Sequence, residues 1–169
     1  MATKQISVGR ISVERFSVTS TKPFDEVVKA LEASVGHPNL GALVAGIASA
    51  KSFAEVEKLV NDAAGASGLM QFMRFDLGEV VHKERGAGTP RSVRYLIGNP
   101  LTMKRMLERT PDAGSYAPVT ILADERPDGV RLTYDRMASF LATYGSEEAL
   151  RVARDLDAKI EAILMKAAA

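Results

Sequence analysis

The sequence predicts an α+β fold, a two-layer sandwich in which a mainly antiparallel sheet carries helices packed on one face, in the order β-α-(αα)-β-β-α-β-β-α. Three observations lead there. Apolar residues alternate with a period of two in some segments and recur at helical spacing in others. The segments with period two are linked by short turns rich in Gly, Pro and Asp, which suit hairpins. Helix-start signals at Ser52 and Asn99 fall between them, and one at Ser146 follows the last.

Residues 11–19 are rich in β-branched side chains and read as a first strand. Ile11 and Val13 share one parity while Phe16 and Val18 share the other, which predicts a bulge near Glu14 or Arg15. Pro23 stands at a first helical position, with Asp25 and Glu26 near the positive end of the helix dipole. Phe24, Val27, Val28, Leu31 and Val35 then recur at helical spacing until Gly36 ends the run. Within 37–68, Leu40, Leu43, Val44 and Ile47 suggest a short helix softened by glycine. The capping box Ser52-Phe53-Ala54-Glu55 opens another, carrying Phe53, Val56, Leu59 and Val60.

From residue 69 the period becomes two, with Leu69, Gln71, Met73, Phe75 and Leu77 on one side, and residues 79–83 read as a continuation or bend of this strand. Gly86-Ala87-Gly88-Thr89-Pro90 turns the chain into a strand over 92–97. Asn99 is an N-cap with Pro100 at N1, starting a short helix to residue 108. Residues 119–123 and 130–134 make a hairpin around Arg126-Pro127-Asp128-Gly129. Ser146 caps a long final helix whose inward stripe is Ala149, Val152, Ala153, Leu156, Ile160 and Ile163.

At 169 residues the chain fits one domain, 1–169, and its 46% hydrophobic and 25% charged content is that of a globular protein. The absence of cysteine excludes disulfides, thiolate metal sites and cysteine nucleophiles. A net charge of +1, scattered charges, no tryptophan and 6% aromatics argue against nucleic-acid binding. The first residues lack an apolar secretory core, and the weakly polar run 40–50 is too short to span a bilayer. The expectation is a soluble cytoplasmic protein without a membrane role.

Tyr95…Gly98-Asn99-Pro100-Leu101, followed by Pro111-Asp112-Ala113-Gly114…Ala117-Pro118 and the turn at Asp128-Gly129, resembles the bacterial DUF302 domain. The resemblance spans 11–36 and 69–165, with 37–68 as a helical insertion. It implies a two-layer α+β fold and a homodimer. It implies no established chemistry, because the family is named for its unknown function.

No GxSxG elbow or P-loop occurs, and Gly86-Ala87-Gly88 neither has dinucleotide-loop spacing nor opens a helix. Candidate ligand contacts are Arg94, Tyr95, Asn99, Tyr116 and His37, and the candidate acid–base residues are His82 and Tyr134. Arg94 shares parity with Ser92 and Leu96, opposite Val93, Tyr95 and Ile97. It is either a solvated surface cation or the anchor for a substrate acid. Asn99 caps a helix, and the same step leaves N–H donors that can face an anionic or carbonyl group. Tyr95, Tyr116 and Tyr134 place phenols near that helix, as ligand contacts or as core residues with a wet tip. His82 reads as a strand residue near a turn, and His37 as a loop residue. Neither shows metal-ligand spacing, so no metal is assigned and any cofactor is unknown.

The leading functional expectation is a homodimeric small-molecule-binding domain, with cofactor-independent acid–base catalysis on an acidic or carbonyl-containing substrate as its enzymatic form. Its pocket is expected between the sheet, the helical insertion and the Asn99-Pro100 turn. One alternative is an interaction protein docking a partner through 37–68. Another is a haem or metal protein ligated by His37 or His82.

Overall fold

Alternating inward side chains dictate the core. The computed structural model describes residues 4–169. Its strands are β1 (Arg15–Ser20), β2 (Met70–Asp76), β3 (Ser92–Gly98), β4 (Val119–Arg126) and β5 (Gly129–Asp135). They form one sheet in the order β1-β5-β4-β3-β2, with every neighbouring pair antiparallel. The helices are α1 (Phe24–Glu32), α2 (Leu40–Ser49), α3 (Phe53–Ala63), α4 (Gly78–Arg85), α5 (Pro100–Leu107), α6 (Met137–Leu141) and α7 (Glu147–Ala168). The architecture is the α+β layered sandwich that the sequence predicts.

Val93, Tyr95 and Ile97 of β3, Ile121 and Ala123 of β4, and Leu132 and Tyr134 of β5 are buried on the inner face. Against them pack Phe24, Val27 and Leu31 of α1 and Leu156, Ile160 and Leu164 of α7, forming one continuous core. Each large apolar side chain fully buried there contributes roughly 1.5–3 kcal/mol, well above the tenths that separate helix propensities. Burial of the stripe therefore decides where these helices lie. Ser146 caps α7 by accepting from the Ala149 N–H, as its position before Glu147 and Glu148 predicts.

The α2–α3 pair packs on a smaller cluster, in which Leu43, Val60 and Met70 are buried with Phe72 and Leu101 against them. Its two ends meet at a tight backbone junction. The N–H groups of Gly36 and Gly65 both donate to the Leu69 carbonyl, at 2.8 and 3.0 Å, and the Gly36 carbonyl accepts from Gln71 N–H at 2.8 Å. A Cβ on Gly36 would lie 2.1 Å from the Ala63 carbonyl oxygen, and one on Gly65 would lie 2.5 Å from Gly36 N. Only glycine lets the two segments approach this closely.

Four details depart from the sequence reading. Residues 79–83 are not strand but part of helix α4, because Asp76 Oδ1 accepts from the Glu79 N–H at 3.2 Å and caps a helical turn. β1 begins only at Arg15, and Ile11 and Val13 stand exposed before it rather than pairing with a bulge. β2 changes register between Gln71 and Met73, so Gln71 opposes inward Ile97 while Met73 and Phe75 oppose outward Leu96 and Arg94. The single stripe expected from 69 to 77 is broken by that bulge. Helix α6 was not expected, and it is capped from a distance. Asp157 on α7 accepts from the N–H groups of Met137 and Ala138 at 2.7 and 3.1 Å.

Candidate functional site

Strand register brings three polar residues to one end of the sheet's outer face. Arg94 opposes Leu122 on β4, Leu96 opposes Thr120, and Asp135 opposes Arg15 on β1. Arg94, Thr120 and Asp135 share a cleft of about 360 Å³ with Tyr116, Met137 and Phe140. The Tyr116 ring stacks on Phe140 with centroids 4.6 Å apart and planes within 13°. Its hydroxyl shares a 2.7 Å hydrogen bond with that of Tyr144, which pushes the Tyr144 phenol up to about 12. One aromatic wall is thereby fixed in place.

The charges of the cleft are unequally compensated. Arg15 clamps Asp135 through two hydrogen bonds, Nε to Oδ1 at 2.6 Å and Nη2 to Oδ2 at 2.8 Å. Arg94 is exposed, and its side-chain hydrogen bond is a 3.3 Å contact to the neutral Thr120 hydroxyl. Among the described residues no carboxylate pairs with it, whereas Arg15, Arg74, Arg91, Arg109, Arg126, Arg131 and Arg136 all have acidic partners. A guanidinium with open donors beside an aromatic wall is suited to a carboxylate, which it can hold in bidentate geometry.

Asn99 lies elsewhere. Its Oδ1 accepts from Leu101 and Thr102 N–H at 2.7 and 3.4 Å, and its Nδ2 donates to the Gly68 carbonyl at 2.8 Å. The amide is thus occupied as helix cap and as tether to the end of the 37–68 segment. Gly98, Asn99 and Pro100 border a separate, smaller cavity of about 130 Å³ that runs between α5, the sheet end and Leu156 of α7. A cavity does lie beside the Asn99-Pro100 turn, but no residue of the 37–68 segment lines it, and neither does Arg94.

The other selected residues divide between core and surface. Tyr95 is 0% exposed, and its hydroxyl donates to Glu32 Oε1 at 2.7 Å while Arg74 reaches the same oxygen. Tyr134 is 1% exposed and donates to Asp157 Oδ1 at 2.5 Å. Burial, reinforced by Glu32 in one case and Asp157 in the other, holds both phenols well above their usual range. His82 sits on helix α4 rather than on a strand, with Nε2 donating to the Thr89 carbonyl at 2.7 Å. His37 is an exposed loop residue whose Nε2 donates to the Glu32 carbonyl at 2.9 Å. Among the described residues no group of three or more His, Asp or Glu side chains is placed to hold a metal.

The structure thus brings Arg94 and Tyr116 together and leaves Tyr95, Asn99, Tyr134, His37 and His82 outside their cleft. Sequence reasoning missed Thr120, Asp135 and Phe140 as its lining. Parity would have placed Thr120 and Asp135 on the outer face, but only the strand order shows that they neighbour Arg94.

The family model DUF302, a domain of unknown function, matches residues 45–167. The match begins inside α2, so most of the 37–68 segment lies within the matched range. No curated protein matches the chain. Among solved structures, the chain is similar to an uncharacterized conserved DUF302 protein from Bacillus stearothermophilus. The two are 12% identical with a TM-score of 0.63, over 90% of this chain and 96% of that one. At that identity the likeness speaks for the fold. No helix among the described residues is long and apolar enough to cross a membrane.

Proposed function

This chain belongs to the DUF302 family, domains of unknown function, and from that premise we propose that it is a homodimer binding a small acidic or carbonyl-containing molecule at Arg94. The observation that carries the reading is the unpaired Arg94 guanidinium in a cleft walled by the Tyr116–Phe140 stack. Because Arg15 already neutralises Asp135, Arg94 is the uncompensated charge there. The second copy is supported by the same sheet face, where Met73 and Phe75 are 40% and 52% exposed beside Leu96. A partner on that face would remove water from Arg94 and raise the worth of a ligand carboxylate.

Titration calorimetry with benzoate and pyruvate, on the wild type and on Arg94→Ala, tests the reading. Loss of the charge is expected to weaken binding about tenfold or more, the scale of one charge-assisted contact. Equal affinity for both proteins, or no binding of either acid, would overturn it. Partner docking through α2 and α3 is the second reading, favoured by Val44 and Phe53, which are 65% and 49% exposed. Val44→Asp lowering partner capture while leaving acid binding intact would support it.

A further inference from the structure

The smaller cavity has the opposite chemistry to the Arg94 cleft. Phe72, Met103, Met106, Pro118, Val119 and Leu156 supply most of its lining. Met106, Val119 and Leu156 form its buried floor, at 0%, 4% and 4% exposure. Phe72, Thr102 and Met103 are half-buried and border its opening.

The Asn99 amide and the Met103 N–H at its rim are already engaged, which leaves the Thr102 hydroxyl as the other side-chain polar group there. Asn99 makes three side-chain hydrogen bonds, two of them to the first N–H groups of α5. The Met103 N–H donates to the Asn99 carbonyl at 3.0 Å. Water entering this space finds few partners, and a site needs two to four polar partners to hold a water well. An enclosed apolar cavity of about 150 Å³ binds benzene, and this one, open at its rim, is of similar size at about 130 Å³. The two methionines add adaptability, since an unbranched thioether repacks around guests of different outline and makes favourable contacts with aromatic rings.

We infer that the cavity between α5, Phe72 and Leu156 is a binding site for a small apolar molecule or group of ring size, an aromatic or cyclic hydrocarbon. It shares Pro118 and Val119 as a wall with the Arg94 cleft. It does not depend on that cleft, because its lining contains no charged side chain.

Gly98 offers a specific way to close it. A Cβ there would sit 3.4 Å from Pro118 Cβ and 3.5 Å from Phe72 Cε2, ordinary contact distances between two lining residues. Gly98→Ala therefore adds a methyl group to the cavity wall without a backbone clash. Met103→Phe fills the cavity from its half-exposed rim and serves as a second, independent blocker.

The test is titration of the full chain with toluene and with cyclohexane, followed by the ε-methyl resonances of methionines labelled with carbon-13. Saturable shifts are expected at Met103 and Met106, with none at Met165, which is 52% exposed. Each blocking variant, folded by its own spectrum, is expected to weaken binding about tenfold or more, the effect of about 1.4 kcal/mol. Preference for toluene would assign an aromatic guest, and equal binding a hydrocarbon of either kind. Non-saturable shifts that include Met165, or wild-type affinity in both variants, would overturn the site.

Discussion

The Tyr134 hydroxyl and Asp157 Oδ1 stand 2.5 Å apart, joining the last strand to the last helix inside the core. Met137 N–H donates to both atoms, at 3.1 Å to the hydroxyl and 2.7 Å to the carboxylate. The pair therefore also fixes the turn into α6. Burial raises the Asp157 pKa above its ordinary 3.8, outweighing the hydrogen bonds from Tyr134, Ala138 and Met137 that favour the charged form.

That shift gives a pH dependence with a definite sign. An acid whose folded pKa is raised takes up its proton more readily folded than unfolded. Its relative stabilisation is full below 3.8 and is lost as pH rises through the higher folded value. Asp157→Asn cannot ionise and leaves the Ala138 N–H facing an amide donor, at a cost of about 1–3 kcal/mol. The stability gap between wild type and this variant, read by urea unfolding, is expected to narrow as pH rises from 3.8. A gap that widens would contradict the assignment.

Asn99→Ala removes the α5 cap and the tether to Gly68 together. The expected loss is about 1–2 kcal/mol, the upper range for a helix cap. Urea unfolding measures it, and hydrogen exchange is expected to speed first at Leu101 and Thr102. Because Asn99 is engaged in these bonds, acid binding at Arg94 should survive the change.

Gly36→Ala places a methyl group against the Ala63 carbonyl oxygen at 2.1 Å, far inside contact distance. The junction must then open, at a cost of about 3 kcal/mol or more on the scale of severe overpacking. The expected outcome is a lowered unfolding midpoint together with faster exchange in α2 and α3. Ala33→Gly, on the exposed side of the same turn, serves as the mild control.

Phe75→Asp tests the outer face as an interface. Phe75 is half-exposed on β2, so a single copy should lose no more than about 0.5 kcal/mol. Light scattering coupled to size exclusion is expected to show a dimer for the wild type and a monomer for the variant. A wild-type monomer, or a dimer indifferent to the change, would refute this placement.

The fold was legible where signals were local. The stripe Phe24, Val27, Val28 and Leu31, the Asn99-Pro100 start and the Ser146 cap are each read within one or two turns of chain, and each forms as read. Helix α4 has a local signal of its own. Asp76 and Glu79 have capping-box spacing, basic residues follow at His82, Lys83 and Arg85, and Gly86 ends the run. Its weak amphipathic pattern, with Val80 exposed, disguised it as strand. Helix α6 gave no comparable local signal, because its cap comes from Asp157 on another helix. The candidate cleft was half legible for the same reason. Parity put Arg94 on the outer face, but its neighbours come from β4, β5 and α6, and only the folded register brings them together.

The bulge between Gln71 and Met73 falls on the strand that ends the sheet. Gly36 covers the strand's first residues through its bond from Gln71 N–H, and the bulge follows at once. Only the stretch from Met73 to Asp76 keeps a regular free edge, and at that length it is a poor template for another strand. Edge-to-edge growth, the route from a sheet to a fibre, is blunted at this border by backbone geometry. In the proposed dimer the exposed Phe75 and Met73 side chains meet the second copy face to face, an encounter that closes on two copies without leaving room for a third.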